Sequence, residues 1–450
     1  MIDVHARIHS FFIFNSNFGP KEGEELKRII FFYPNQVTPE ARKMQVGLCE
    51  AVVKFMTTFS SEPCEALQTQ SKRYIFYQPE KDYWMVLVVR IPYSTKSVVS
   101  VADNAADVIH PTVMSNLLQS AYKMFNLFIS KFNDISPEEL YGKCEKFFNP
   151  YIAQRNLTND FGDIIQGISY LPLDKTSFFK IMCFIDLVEV NYPTFKCVMF
   201  LYNDQLIWNG LSMTNTLTVY QYLVQNLLPE HVKRELQGGA VAVAQKHGRY
   251  ISPSDGIKTN EDLNSLPKVN LQCENDHEVK QYYFVIYRTL SVTVCFTINV
   301  NESLQLETFK CLDTFIGPQL SSIATVIGEQ CAQQALQNVQ NSNSEQPKFV
   351  YYNRLNLAVK SSVSIQLSSK FTPNTAVKPE VLNIVAGIHA DRETLGNYGE
   401  IIIKTTDEYW ITGKSSNDRE LYVIIYQKNA NLKEIAGMCK YNKYITFTCI

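Results

Sequence analysis

The side chains best able to do chemistry here are the cysteines, the histidines, the carboxylates and one glycine–lysine–serine run. Their spacing decides what each could do. Of eleven cysteines, the closest pair, Cys439 and Cys449, lies ten positions apart. A zinc knuckle or a redox dithiol needs a CxxC pair, and none exists. An odd cysteine count without a signal peptide fits buried thiols in a reducing compartment. The seven histidines are dispersed from His5 to His389. Neither an HExxH helix nor a G-x-S-x-G elbow is present. Gly413-Lys414-Ser415 resembles the end of a phosphate loop, but Glu408 occupies the place of the leading glycine. The run also lies between two strands rather than before a helix, so it reads as a hairpin tip. Two sequons, Asn156-Leu-Thr158 and Asn301-Glu-Ser303, carry little weight without a secretory signal. No active-site signature emerges, and the expectation is a protein without bond-making chemistry, metal or cofactor.

Composition narrows the class. The chain has 450 residues, 42 Lys+Arg against 44 Asp+Glu, and a net charge of −2. At roughly 150 residues per domain, that length suggests about three domains. Near-neutrality argues against a nucleic-acid binder, which needs a basic domain or stripe. A hydrophobic share of 46% supplies several cores, and 25 Tyr with 27 Phe lean toward sheets. The most apolar segment, Tyr282–Val300, is interrupted by Arg288 and is rich in β-branched and aromatic types. It reads as two strands, so any membrane contact is expected to be peripheral.

Periodicity yields one order of elements three times. The first series has strands at Ser10–Asn15 and Ile29–Tyr33, a helix at Pro39–Phe59, strands at Arg73–Tyr77 and Tyr83–Ile91, and a helix at Val108–Phe132. An extra helix follows at Asp134–Tyr151, opened by Ser136-Pro137-Glu138-Glu139. The second has strands Lys196–Tyr202 and Gln205–Trp208 about an Asn203-Asp204 turn, a helix at Asn215–Leu228, strands within Gln281–Val300, and a long helix at Ser303–Ala335. Gln237–Asp276 reads as an irregular insertion, and Gln337–Gln346 as a linker. The third has strands Phe349–Tyr352 and Leu355–Val359, a helix within Pro379–His389, strands Glu400–Lys404, Tyr409–Thr412 and Glu420–Gln427, and a short helix near Asn431–Lys440. Such an order predicts an α+β fold of antiparallel sheets flanked by helices, in three tandem domains at 8–151, 152–336 and 347–450. Trp84, Trp208 and Trp410 fall in strand-like runs and are expected in cores.

The helix Pro39–Phe59 is too apolar for a simple sandwich. Met44, Leu48, Ala51, Phe55 and Phe59 form one stripe, and Val46, Cys49, Val53 and Met56 form another. A helix on its own sheet needs only one apolar face. Gly47 in the middle costs about 1 kcal/mol relative to Ala, which suggests that something packs close to the backbone there. Either a second helix of the same chain, such as Met114–Phe132, covers the extra face, or another protein does.

Several segments resemble the Ccz-one family of vacuolar-fusion proteins: Ser10-Phe-Phe-Ile-Phe-Asn15, Phe18-Gly-Pro-Lys-Glu-Gly23, Phe32-Tyr-Pro-Asn35 and Val46-Gly-Leu-Cys-Glu-Ala51. Further along are Tyr83-Trp-Met-Val-Leu-Val-Val-Arg90, Gly167-Ile-Ser-Tyr-Leu-Pro-Leu-Asp-Lys175, Phe200-Leu-Tyr-Asn-Asp-Gln-Leu-Ile-Trp208 and the run from Glu420 to Leu432. The resemblance implies three longin domains in tandem. It implies pairing with Mon-one through the first longin domains, and a third subunit in animals. It also implies nucleotide exchange on the late-endosomal GTPase Rab-seven in endosome maturation, lysosomal fusion and autophagy. The second and third domains would then serve assembly and attachment to anionic membranes, placing a cytoplasmic chain peripherally on late endosomes and lysosomes. Carried onto this chain, the partner or GTPase surface is expected on an outer stripe of Val46, Cys49 and Val53 with Glu50 and Lys54 beside it. Arg90 and Pro92 at a strand end are added. Two other readings stay open: a non-catalytic assembly scaffold, or a three-longin subunit serving another small GTPase or a polarity complex.

Overall fold

In the computed structural model, the described residues are 8–60, 63–90, 109–155, 157, 161–237, 248–252, 256–272, 279–341, 347–362, 377, 379–392, 396, 398–406, 409–426, 431–435 and 437. The chain groups into two compact units, residues 1–166 with 376–394, and 167–375 with 395–450.

The first unit is built on strands β1 (Ile8–Asn15), β2 (Ile29–Tyr33), β3 (Ala66–Gln68), β4 (Lys72–Glu80) and β5 (Tyr83–Arg90), in the antiparallel order β2-β1-β5-β4-β3. β5, an almost continuous run of apolar residues, is central and buried from Tyr83 to Val89, as a strand covered on both faces requires. Helix α1 (Pro39–Phe59) starts with Pro39 in its first turn, behind Thr38. It lies on the face carrying Phe12, Phe14, Trp84, Val86 and Val88. Helices α2 (Pro111–Phe128) and α3 (Pro137–Ala153) cover the other face, where the Phe148 ring packs on Phe11, Phe31 and Phe125 at 5.3–5.6 Å. So α2 does not roof α1. A single turn, α4 (Phe161–Ile164), is tied to α2 by Asn116, whose Nδ2 donates to the carbonyls of Asp163 and Ile164 at 2.9 Å.

The second unit carries two sheets. Strand β6 (Ile168–Ser169) and helix α5 (Lys175–Asn191) come first. Then follow β7 (Lys196–Tyr202), β8 (Gln205–Asn209), α6 (Met213–Gln221), a π-helical segment (Tyr222–Leu227) and α7 (Leu228–Gln237). β9 (Arg249–Tyr250), α8 (Asn260–Asn264), β10 (Lys268–Gln272), β11 (Val279–Thr289), β12 (Val292–Asn299) and α9 (Leu306–Asn341) complete that domain. Its sheet runs β10-β11-β12-β7-β8, with β9 also on β11. The third repeat supplies β13 (Lys348–Asn353), β14 (Ala358–Ser361), α10 (Pro379–Ala390), β15 (Tyr398–Lys404), β16 (Tyr409–Ser416) and β17 (Arg419–Tyr426). Its sheet order is β15-β16-β17-β13-β14-β6. Helix α10 groups with the first unit, while the strands on either side of it group with the second.

β6 splices the two sheets of the second unit. It pairs parallel with β14, and the next residue, Tyr170, bridges to Leu206 of β8, where Leu171 N–H donates to the Leu206 carbonyl at 3.0 Å. Glycine is needed at its start. A Cβ on Gly167 would stand 2.0 Å from a Val359 methyl.

Three sheets, antiparallel but for the β14–β6 pair and flanked by helices, are thus present, and the expected α+β class holds. Trp84 is buried, and Trp208 and Trp410 are half-buried against their domain cores. Several expectations are corrected. Gly413-Lys414-Ser415 lies inside β16, and the turn falls at Asn417-Asp418, where Asn417 takes φ 53°. Such a left-handed residue suits asparagine and matches the strand twist of a tight hairpin. Gln337–Asn341 continues helix α9. The stretch read as an irregular insertion contains β9 and β10, which add to the sheet, and the capped turn α8. Helix α5 stands where the sequence reading assigns no element.

Candidate partner-binding face of the first domain

The side of α1 that meets the sheet is set by shape. Val46, Cys49 and Val53 are buried and interlock with Phe12, Phe14, Phe32, Tyr74, Phe76 and Trp84. The sheet face is crowded with rings, so compact side chains from the helix fill the spaces between them. The expected outer stripe is therefore the inner one. This is a correction: Val46, Cys49 and Val53 offer no surface to a partner. Burial also pushes the Cys49 thiol up to about 12, so it is inert as a nucleophile.

The opposite side is where apolar surface remains. Val46 and Phe55 are nine positions apart, and at about 100° per residue they point in opposite directions. Met44 is 76% exposed, Phe55 63% and Phe59 74%, with Leu48 and Ala51 also exposed between them. The Phe55 and Phe59 rings lie 4.8 Å apart on successive turns. Gly47 borders this stripe, and a Cβ placed on it would meet nothing within 4 Å. Nothing in the described chain packs there, so the glycine leaves a shallow notch in an apolar ridge.

The charged neighbours are already engaged. Glu50 is buried on the flank of α1, accepting from Arg28 Nη1 at 3.0 Å and Lys54 Nζ at 2.6 Å. Burial works to raise its carboxyl, but the hydrogen bonds from Lys54 and Arg28 outweigh it and hold the group below the ordinary glutamate value. Lys43 pairs with Glu25 at 3.0 Å. Of the expected charged residues, the structure brings Glu50 and Lys54 together. Lys54 is exposed beside the outer face. Arg90 is exposed at the end of β5, opposite Lys72 in register. Both charges lie near His9, whose imidazole is lowered first by burial and then by them. Pro92 lies outside the described residues.

This geometry suits binding: an apolar ridge with a notch, and flanking charges satisfied at home. Among the described residues no three His, Cys, Asp or Glu side chains gather to hold a metal ion. No helix among them is long and apolar enough to cross a membrane. Sequence reasoning found both stripes of α1 and exchanged their roles. The signal available was side-chain size, with the large aromatics on one stripe and the compact residues on the other.

Comparison with known proteins assigns the chain to a family. A family model described as the first longin domain of INTU, CCZ1 and HPS4 matches residues 8–130. Models described as Intu longin-like domains 2 and 3 match residues 195–319 and 343–441. The "Vacuolar fusion protein CCZ1 homolog" of Nematostella vectensis is 37% identical over 442 residues, covering 95% of this chain and 94% of that protein. The protein of the same name from Xenopus tropicalis is 37% identical over 442 residues, covering 95% and 93%. That of Dictyostelium discoideum is 27% identical over 444 residues, covering 96% and 95%. The three sheets in series, the matched longin domains and this near-complete coverage together make the chain a three-longin member of the CCZ1 family of vacuolar fusion proteins.

Proposed function

We propose that this chain is a subunit of a heteromeric guanine-nucleotide exchange factor for the late-endosomal GTPase Rab-seven, with no bond-making chemistry of its own. The observation that carries the reading is the outer face of α1, an apolar ridge on the first longin domain with no counterpart in the described chain. Its occupant is the Mon-one subunit, pairing through its own first longin domain, and the paired domains form the platform for the GTPase. The chain is cytoplasmic and recruited peripherally to late endosomes and lysosomes through anionic lipid, with a third subunit in animals. There it serves endosome maturation, lysosomal fusion and autophagy.

The physical logic asks only for surface. A GTPase holds GDP and magnesium through its phosphate loop and switches. A factor that binds the switches in a conformation lacking those contacts weakens the nucleotide, and linkage makes the weakening mutual. Each 1.4 kcal/mol of antagonism is about tenfold in affinity. The test is retention on the immobilised two-subunit complex. Nucleotide-free Rab-seven is expected to be held and GDP-loaded Rab-seven released, and equal retention of both would refute the reading.

A second reading has one observation in its favour: the family model for residues 8–130 names INTU and HPS4 beside CCZ1. On that reading the chain serves another GTPase or a polarity complex, or is a scaffold that never touches a GTPase. Recovery of Mon-one with the tagged chain supports the first reading, and its absence supports the second.

A further inference from the structure

Strand β15 closes one side of the third sheet, and no described strand lies beyond it. Sheet edges are ordinarily blunted by shortness, proline or a bulge, because an open row of N–H and C=O groups recruits another strand. The outer strand β3 of the first sheet, for example, has only three residues. β15 has seven, Tyr398 to Lys404, without proline, and keeps unbroken register with β16. Three consecutive isoleucines, Ile401, Ile402 and Ile403, lie half-buried along it. The hairpin end fixes which way its backbone groups point. Thr405 N–H donates to the Tyr409 carbonyl at 2.8 Å, so Thr405 bonds toward β16. Along an antiparallel ladder the bonded residues alternate. Gly399, Ile401 and Ile403 therefore bond to β16, while Glu400, Ile402 and Lys404 turn their N–H and C=O groups outward.

This edge is its own complement. Laid antiparallel against itself about Ile402, the run Glu400-Ile-Ile-Ile-Lys404 sets Glu400 opposite Lys404 of the other copy, twice over. Ile401 then stands opposite Ile403, and Ile402 opposite Ile402. Two edge strands joined in this way are related by a two-fold axis normal to the sheet, so each face continues into the same face of the other copy. Glu400, Ile402 and Lys404 share one face, and opposite residues of an antiparallel pair are neighbours on it. The register also extends contacts already present. Glu400 pairs with Lys414 across β16 at 3.1 Å, and the Lys404 ammonium lies 5.1 Å from the centre of the Trp410 ring. Across the junction the row reads Lys414, Glu400, Lys404 of the other copy and its Trp410, so opposite signs alternate. On the other face Ile401 stands opposite Gly413 on β16, and Ile403 of the second copy supplies the side-chain neighbour that a glycine lacks. Moving the register one or two residues either way sets Glu400 opposite an isoleucine or a threonine and loses both charge pairs.

We propose that β15 docks β15 of a second copy of this chain, antiparallel about Ile402, so that the two third sheets join into one. The edge is separate from the outer face of α1 and goes beyond the exchange-factor reading. Sedimentation velocity on the full chain over a dilution series tests it. A monomer–dimer equilibrium is expected. Glu400→Lys or Lys404→Glu alone turns both charge pairs repulsive and weakens the dimer about tenfold. The combined swap recovers it, because each copy again offers both signs. Ile402→Pro removes an outward N–H and no bond to β16, a change that an edge strand tolerates, and is expected to abolish the dimer. Circular dichroism melts of the charge variants should stay near wild type. Hydrogen exchange at the Ile402 amide is expected to slow on dimerisation, while the Ile401 and Ile403 amides are slow throughout. A wild-type chain that stays monomeric at every dilution overturns the proposal. So does a dimer indifferent to the single reversals, a swap that fails to recover it, or an Ile402 amide protected only when a different subunit is added.

Discussion

Helices α1 and α5 solve the same packing problem and leave different surfaces. Each lays one face on an antiparallel sheet and turns an apolar stripe outward. Beside the α1 stripe the charges are engaged within the chain, Glu50 with Arg28 and Lys54, and Lys43 with Glu25. Recognition there falls to shape: bulky Phe55 and Phe59 at one end, and the notch at Gly47 in the middle. On α5 the stripe is Phe179, Cys183, Leu187 and Val190, and the exposed Lys180 and Asp186 beside it make no ion pair or hydrogen bond among the described residues. Apolar area without free charge supplies affinity, and free charges supply orientation and choice of partner.

The sharpest way to break this comparison is to put a charge on each side of α1 in turn. Val53→Asp buries an unpaired carboxylate among the rings of the first domain. It is expected to cost about 3–5 kcal/mol and to remove the first-domain transition from a calorimetric melt. Phe55→Asp, on the opposite side, should leave the melt near wild type while partner capture falls about a hundredfold, as for an interface anchor. Equal loss of stability from both would mean that the outer stripe is covered by the chain itself.

Glu50→Gln probes the charges between the two faces and should cost about 1–2 kcal/mol at neutral pH. The Glu50 carboxyl is held below its ordinary value in the fold. Its stabilising contribution is therefore complete above the unfolded glutamate value and is lost as pH falls through the lower folded value. Urea midpoints measured between neutral and acid pH should fall less steeply in the variant than in wild type. The smallest effect is expected at Gly47→Ala, where a Cβ meets open space. Helix propensity should raise stability by up to about 1 kcal/mol. Partner capture should weaken, because the notch is filled. A variant that gains both stability and capture would deny the notch a role.

Most of this fold was legible because local signals were strong. Pro39 and the helical period set α1 between Pro39 and Phe59, and Asn203-Asp204 marked the β7–β8 turn, with Asn203 at φ 52°. Legibility failed where a pattern had two equal solutions. Both stripes of α1 are apolar, so period alone could not say which meets the sheet, and the shape of a distant surface decided it. Helix α5 escaped notice because Phe178, Phe179, Phe184, Leu187 and Val190 surround it with apolar residues and blur its period. Gly413 sits inside a strand because its neighbours pair along β17 from Tyr409 to Ser416. Pairing of that kind is non-local. The splice at β6 is equally invisible along the chain, since Gly167 and Val359 are brought together only by the fold.

The most direct measurement of the central claim places a photoreactive phenylalanine analogue at Phe55 within the assembled complex. The account predicts a cross-link from that position to another subunit or to the GTPase. A cross-link confined to this same chain, or none at all while the complex stays intact, would contradict it.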